Sequence, residues 1–343
     1  MAKVLMKGNQ ALAEACLRAG CRFFSGYPIT PQTEILEYLC WRMDEVGGVC
    51  VQTESELAGV NMLFGAAAAG ARALTTTAGP GFSLKQEGIS YLCSSDLPAC
   101  GLGDIFMGQG DYWQLTRGGG HGDYHTLVLA PASVQESVEL ASEAFDLAEK
   151  YRHPVIMATD ATIGQMMEPV ELPKMREHDM DKFDWAVRPR CEGEEQRAIW
   201  NRYWDWEDGG RKYPEYVLNK YTEMEENEQR WENFYTDDAD IVIVAYGTSS
   251  RIAKSAVLRA RKEGIKVGLL RPITLWPYPK NAFDQLPHVK AFLDAEMNIL
   301  GQMKDDIILA DKNRRPVEFF GSYWDPINEF ELAAKAREMA ERY

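Results

Sequence analysis

The sequence lacks the short motifs with which a chain binds metals, iron–sulfur clusters or nucleotides on its own. No two of its cysteines form Cys-x-x-Cys, so neither a zinc knuckle nor a ferredoxin-type cluster is encoded. We therefore expect buried, reduced thiols. The cysteines are Cys16, Cys21, Cys40, Cys50, Cys93, Cys100 and Cys191.

Long apolar runs and an excess of basic residues are also missing. No apolar run reaches membrane-spanning length, and the first residues show no signal-peptide core, so we expect a cytoplasmic protein without a membrane partner. The formal net charge is −15, and much of the acid lies between residues 192 and 240. A nucleic-acid partner is disfavoured, because a phosphate backbone requires a basic face.

The chain does contain an alternation of strand and helix patterns, which is typical of an α/β protein with parallel sheets. At 343 residues, two or three domains are expected. We predict a doubly wound domain over residues 1–165 and a second α/β domain over 239–343. An acidic, aromatic linker or helical extension over 166–238 is predicted to join them.

Two glycine-containing turns admit a functional and a structural interpretation. Tyr246–Arg251 follows a strand pattern and could hold an anion, but it matches neither nucleotide-binding motif, so a helix cap by Ser249 or Ser250 is favoured. The loop Thr116–His125 carries His121 and His125. Loop architecture is favoured over a metal site there, because glycines disfavour the helix that this histidine spacing would need. We predict no metal on this chain.

Two further stretches lie where ligands bind in parallel sheets, after a strand and before a helix. In Ser25–Glu34, Thr30 could bind a carboxylate with its hydroxyl and the helix amides, or simply cap the helix. Glu54 and Glu56 precede a small-residue helix. Each could be a partner of the helix dipole, or one could be there for chemistry.

The order Glu56, small-residue helix, strand and TTTAGPG resembles the pyrimidine-binding domain of thiamine diphosphate enzymes. Longer segments together resemble the α subunit of 2-oxoacid:ferredoxin oxidoreductases, closest to the type acting on branched-chain 2-oxoacids such as 3-methyl-2-oxobutanoate. These segments are GNQALAEACLRAGCRFFSGYPITPQTEI, ESELAGVNMLFGAAAAGAR, TAGPGFSLKQEGISYL, TRGGGHGDYHTLVLAPASVQE and AYGTSSRIAKSAV…RPITLWPYP.

This resemblance implies a pyrimidine-binding domain followed by a transketolase C-terminal-like domain. It implies that Glu56 contacts N1′ of the thiamine diphosphate pyrimidine and that Thr30 lies near the substrate carboxylate. Further cofactor contacts would come from Tyr27, Pro28, Ile29 and Gly79. The diphosphate, Mg²⁺ and iron–sulfur sites would belong to a β subunit and to γ and ferredoxin-like subunits, with CoA and ferredoxin as reaction partners.

Two segments depart from the family pattern. LPACGLGDIFMGQGDY replaces a segment with Arg-Gly-Gly-Pro, and Gly321–Pro326 replaces Gly-Arg-x-Gly-Gly. Arg117 could supply the lost positive charge near the substrate. The alternative is a non-catalytic α-like subunit with a structural or regulatory role. A stand-alone thiamine enzyme is disfavoured, because the chain has no Gly-Asp-Gly with an Asn about thirty residues later.

Overall fold

Strands and helices alternate along the computed structural model, which describes residues 3–105, 108–119, 121–188, 198–199, 201, 209–323 and 325–343. The strands are β1 (Val4–Lys7), β2 (Phe23–Gly26), β3 (Val49–Gln52), β4 (Ala73–Thr77), β5 (Ala99–Ile105), β6 (Leu127–Leu129), β7 (Pro154–Asp160), β8 (Met167–Val170), β9 (Trp231–Phe234), β10 (Ile241–Val244), β11 (Val267–Pro272), β12 (Thr274–Trp276), β13 (Ala291–Glu296) and β14 (Val317–Gly321). The helices are α1 (Gly8–Arg18), α2 (Thr33–Arg42), α3 (Glu56–Ala68), α4 (Pro80–Ser94), α5 (Tyr112–Thr116), α6 (Val134–Tyr151), α7 (Ala161–Gln165), α8 (Gly209–Asn227), α9 (Gly247–Lys262), α10 (Lys280–Asp284), α11 (Lys304–Ala310) and α12 (Glu329–Arg342).

The larger sheet has the strand order β12-β6-β7-β5-β4-β2-β3 among the described residues. Its strands run parallel except β12, which pairs antiparallel with β6. Strands β4 and β7 are buried along their whole length, as expected for the middle of a covered parallel sheet. The predicted α/β fold is confirmed for this part of the chain.

The second sheet has the order β14-β13-β10-β11-β9 within the described part of the chain. Strands β10, β11, β13 and β14 are parallel, and β9 is an antiparallel edge strand. Helices α9 and α12 pack together over an apolar cluster that includes Ile243, Val257 and Leu293. This is the predicted second α/β unit.

The middle of the chain contributes one strand to a separate two-stranded sheet and one to the second sheet. β8 pairs antiparallel with β1, and β9 pairs antiparallel with β11. Within the predicted linker or helical extension, helix α8 ends at Asn227, because Trp231–Phe234 joins the sheet edge and Glu232 binds Arg271 there. The division at 166 and 238 stays a prediction.

Helix α9 is capped by a carboxylate from the other sheet. The Thr248 N–H and hydroxyl both donate to Asp160, at 2.7 and 2.6 Å. Ser249 and Ser250 lie inside the first turn of the helix, where their hydroxyls donate to Gln109 and Gly247. The cap predicted from those serines is therefore wrong.

Two cysteines also depart from the expectation of buried thiols. Cys40 and Cys50 form a disulfide with a Cα–Cα distance of 5.1 Å. They meet because α2 leads back through a short turn into β3 near the surface. Four free thiols are buried as predicted, Cys16, Cys21, Cys93 and Cys100, whereas Cys191 lies outside the described residues.

In the part of the chain that the structure describes, no helix has both the length and the apolar character needed to cross a bilayer.

Candidate active site

Three loops meet at one edge of the larger sheet. β3, β2 and β4 are neighbouring parallel strands, so their carboxyl ends lie side by side. The loop after β2 carries Tyr27 to Thr30, the loop after β3 leads to Glu56, and the loop after β4 carries Gly79. The sheet therefore brings the residues proposed for the cofactor to a common edge.

Glu54 and Glu56 have different environments. Ser55 is the N-cap of α3, and its hydroxyl accepts from Ala58 N at 3.2 Å. Glu54, before the cap, is exposed to solvent. Glu56 is the first residue of the helix and is only 5% exposed. Glu54 thus has the position of a helix-end charge, whereas burial of the Glu56 carboxyl requires another explanation.

The Glu56 carboxyl fits against the first turn of α4. A Cβ on Gly81 would lie 2.5 Å from Glu56 Oε1 and 2.2 Å from Thr77 Oγ1, so glycine leaves the room that both groups occupy. Thr77 Oγ1 is buried and has no hydrogen-bond partner among the described residues. No side chain or amide in the described ranges donates to the Glu56 carboxyl either. A ligand with both donor and acceptor atoms, such as an aminopyrimidine, would satisfy these two groups.

Gly79 borders this corner. It has φ +45°, directly before α4, and a Cβ built there would meet nothing within 4 Å. Space above the Gly79 backbone is therefore open to a ring. Tyr27, at the end of the neighbouring loop, is 38% exposed, and Pro28 and Ile29 are half-buried. These residues fit the pyrimidine end of thiamine diphosphate, although their contacts with it stay predictions.

Thr30 is exposed and lines a cavity of about 520 Å³. The other lining residues are Pro31, Thr33, Glu34, Ala161, Thr162 and Gln165. Thr30 does not cap the helix, because α2 begins only at Thr33, with Gln32 at the cap position. No described residue forms a hydrogen bond with its hydroxyl, which keeps the carboxylate-binding role open as a prediction.

Three amide side chains that the sequence did not single out hold the Thr30 loop. Asn9 and Gln165 each donate to the Pro31 carbonyl at 2.9 Å, and both also donate to Glu34. Gln32, fully buried, accepts from the Thr76 hydroxyl at 2.5 Å. The loop is therefore fixed to α1, α7 and β4. Because these partners lie 22 to 134 residues away from the groups they bind, no local pattern marks them.

Arg117 has a partner inside the chain. Its guanidinium forms an ion pair with Asp306 at 2.9 Å, and Tyr112 donates to the same carboxyl at 2.6 Å. This contact joins α5 to α11 of the second sheet region. Gln114, on the same short helix, donates to the Gly79 carbonyl at 3.4 Å. Arg117 is thus near the site region but engaged, and its assignment to the substrate stays a prediction.

The two histidines of the glycine loop have separate surroundings. His125 Nδ1 lies 2.9 Å from the Thr116 carbonyl, and its ring stacks on Trp276. His121 Nδ1 lies 3.5 Å from the Ser90 hydroxyl. Their described contacts are those of loop architecture. Of the segment that replaces Arg-Gly-Gly-Pro, Phe106 and Met107 lie outside the described residues, as do the side chains of 102–105.

Comparison with known families shows which family the chain belongs to. Residues 14–233 match the model described as pyruvate flavodoxin/ferredoxin oxidoreductase, thiamine diphosphate-binding. Residues 239–323 match pyruvate:ferredoxin oxidoreductase core domain II. The chain belongs to the 2-oxoacid:ferredoxin oxidoreductase family. Within the family it is an α-type subunit, as the resemblance implied.

Family members of similar length include two named subunits. The ketoisovalerate oxidoreductase subunit VorB of Methanothermobacter thermautotrophicus is 45% identical, with 99% of both chains covered. The 2-oxoglutarate synthase subunit KorA of Methanocaldococcus jannaschii is 35% identical, covering 90% of this chain and 94% of its own.

The same fold occurs in a solved 2-oxoglutarate:ferredoxin oxidoreductase from Magnetococcus marinus, with a TM-score of 0.83 at 24% identity. The match covers 99% of this chain and 65% of that one. A split gene transketolase matches with a TM-score of 0.60 at 13% identity. Both likenesses concern the fold, and the second agrees with the predicted transketolase-like architecture.

Proposed function

We propose that this chain is the α subunit of a thiamine-dependent enzyme that oxidatively decarboxylates a branched-chain 2-oxoacid. The products would be the acyl-CoA, CO₂ and reduced ferredoxin. The observation that carries this proposal is Glu56, a buried carboxyl beside open space, with no donor among the described residues. The 45% identity to a ketoisovalerate oxidoreductase subunit favours an acid such as 3-methyl-2-oxobutanoate.

The residues of this chain would activate the cofactor and hold the acid. When bound, thiamine diphosphate supplies the nucleophilic carbon and the electron sink that decarboxylation of a 2-oxoacid requires. Glu56 would share a proton with N1′ of the pyrimidine, and its burial excludes competing water. Thr30 would donate its hydroxyl to the acid's carboxylate at the mouth of the cavity.

Partner chains would complete the enzyme. We assign the diphosphate, Mg²⁺ and iron–sulfur sites to a β subunit and to γ and ferredoxin-like subunits, with ferredoxin and CoA as further partners, and the cytoplasm as the compartment. Support comes from apolar side chains exposed on α3 and α4 beside the site. Leu57, Met62 and Leu84 are 44%, 39% and 56% exposed. A partner that covers this face would also enclose a cofactor seated on Glu56.

The alternative is an α-like subunit that assembles without contributing to turnover. The environment of Glu56 disfavours it. A carboxyl buried without a donor destabilises the fold unless a ligand compensates, so a purely structural subunit gains nothing from it. Gly81 keeps room for that carboxyl and for Thr77 Oγ1, the two unpaired groups that a ligand would satisfy.

Glu56→Gln tests the proposal in the complex purified anaerobically from its host. Gln keeps the shape but cannot exchange a proton with N1′, so we expect CoA-dependent reduction of a viologen dye to fall at least about a hundredfold. Subunit composition and thiamine content should be unchanged. Glu54→Gln, at the exposed carboxylate two residues earlier, is the matched control and should keep full activity.

Two results would decide against this reading. Wild-type turnover by an assembled Glu56→Gln complex would remove Glu56 from the chemistry. An intact wild-type complex that is inactive across a panel of 2-oxoacids would favour the non-catalytic alternative. The preferred acid in that panel identifies the substrate.

A further inference from the structure

A lysine lies buried next to the Glu56 backbone. Lys85, in the second turn of α4, is only 1% exposed. Its Nζ donates to Thr75 Oγ1 at 2.8 Å and to the Glu56 carbonyl at 3.3 Å. The ammonium thus lies between α4, β4 and the start of α3. Neither the strand-and-helix pattern nor the family resemblance singled it out.

The hydrogen bonds around Lys85 connect it to the strands that carry the site. Thr75 Oγ1 donates to the Ser25 carbonyl at 2.6 Å, and Ser25 Oγ donates to the Gly59 carbonyl at 2.7 Å. A Cβ on Gly59 would lie 3.2 Å from Lys85 Nζ, so glycine at this position leaves room for the ammonium. Lys85 therefore braces β2, β4 and the first turns of α3 together.

The ammonium is in an unfavourable place for a structural lysine. The groups it contacts are neutral oxygens, and the N-terminus of α3 presents the positive end of the helix dipole. A small apolar cavity formed by residues such as Leu63, Phe82 and Ile89 lies on its other side. Burial lowers the pKa of Lys85 to about 8, and the nearby Glu56 carboxyl opposes that shift. Of the charged groups around it, Glu56 is the one that stabilises its positive form.

We propose that Lys85 is a positioning residue for Glu56, holding its backbone through the carbonyl and placing a buried positive charge near its carboxyl. This inference rests on the proposed function of Glu56. A methionine of similar length would fill the same path without a charge. A lysine at this position is explained if the Glu56 carboxyl needs a nearby positive charge in order to exchange a proton with the cofactor.

The test uses the assembled complex with bound thiamine diphosphate and three variants. Lys85→Met removes charge and hydrogen bonds, Lys85→Gln removes the charge but keeps donors, and Lys174→Met removes a charge from an exposed position as control. The readout is the rate of hydrogen–deuterium exchange at C2 of the cofactor, measured beside its dissociation constant.

We expect Lys85→Met to slow C2 exchange about tenfold or more, which corresponds to the loss of one favourable charge interaction at a buried site. The dissociation constant of the cofactor should change less than about threefold, and Lys174→Met should match wild type. Lys85→Gln should also be slow if the charge matters. In Glu56→Gln, adding Lys85→Met should cause little further loss, because Lys85 acts through Glu56.

Each contrary outcome is informative. Wild-type exchange in an assembled Lys85→Met or Lys85→Gln complex overturns the charge role. Failure of both to assemble assigns Lys85 a structural role and overturns the proposal as well. If Glu56→Gln exchanges like wild type, the proposed function itself fails. If Glu56→Gln is inert while Lys85→Met is normal, only the present inference fails.

Discussion

The burial of Lys85 predicts an unusual dependence of stability on pH. Its pKa is about 8 in the folded chain against an ordinary value of 10.5. A difference of that size corresponds to about 3 kcal/mol of unfolding free energy. Because the folded pKa is the lower one, the unfolded chain binds more protons between these two values. The contribution of Lys85 to the free energy of unfolding of the wild type therefore becomes more favourable as the pH rises from about 8 to about 10.5.

Lys85→Met isolates that contribution from every other titrating group. We expect the difference in unfolding free energy between wild type and variant to change by about 3 kcal/mol, in favour of wild type, between neutral pH and pH 10.5. At neutral pH the variant should have the higher free energy of unfolding, or the two values should be nearly equal. Removal of the buried charge stabilises the variant, and the lost hydrogen bonds, worth about 1 kcal/mol each, offset part of that gain.

Urea denaturation of the full chain at several pH values, followed by circular dichroism, measures the effect. Lys174→Met is the control, and its difference from wild type should stay within about 0.5 kcal/mol across the range. A flat difference between wild type and Lys85→Met would show that the ammonium is not desolvated in solution. That result would refute the energetic argument, whatever the kinetics of the complex.

Two other predictions concern charged groups outside the Glu56 corner. Because Arg117 is paired with Asp306, we expect Arg117→Gln to lower the free energy of unfolding by about 1 kcal/mol. If Arg117 also binds the substrate, as predicted from the sequence, the KM for the 2-oxoacid will rise more than about tenfold, whereas an unchanged KM removes Arg117 from the substrate site. Burial raises the pKa of both Asp294 and Glu296, and the negative charge of Glu296 raises that of Asp294 further, so the free energy of unfolding falls as the pH rises towards neutral and beyond. Asp294→Asn should then raise the thermal midpoint by about 3 °C at pH 8 and much less at pH 5, and an equal shift at both values would contradict the coupling.

The sequence predicted those parts of the site that are local. Strand, turn and helix follow one another within a few residues around Glu56 and Thr30, and the family motifs coincide with these turns. The residues alone left the roles of Glu54 and Glu56 open, and the family resemblance singled out Glu56. In the structure Ser55 caps the helix between them, with Glu56 buried and Glu54 exposed. The role of Glu56 as the acid stays a prediction.

Contacts between distant segments could not be foreseen. Asp160 reaches the Thr248 amide across 88 residues, and it takes the role expected of the nearby serines. Gln165 reaches Pro31 across 134 residues. Lys85 reads as an ordinary charged residue in an amphipathic helix, and only the packing of α4 on α3 shows that it is buried. The periodicity of apolar residues indicates which face of a helix or strand is apolar. It does not indicate which polar group of a distant segment will contact that helix or strand.

Strand β12 connects the segment that forms the second sheet to the edge of the first sheet. It follows β11 of the second sheet directly, yet it pairs with β6 at the edge of the first. A fragment that ends near residue 238 would leave the β6 edge open, and exposed edges invite aggregation. Point substitutions are therefore better suited than truncations to the study of this subunit. If the chain were divided into two fragments, Thr274–Trp276 would have to belong to the N-terminal one.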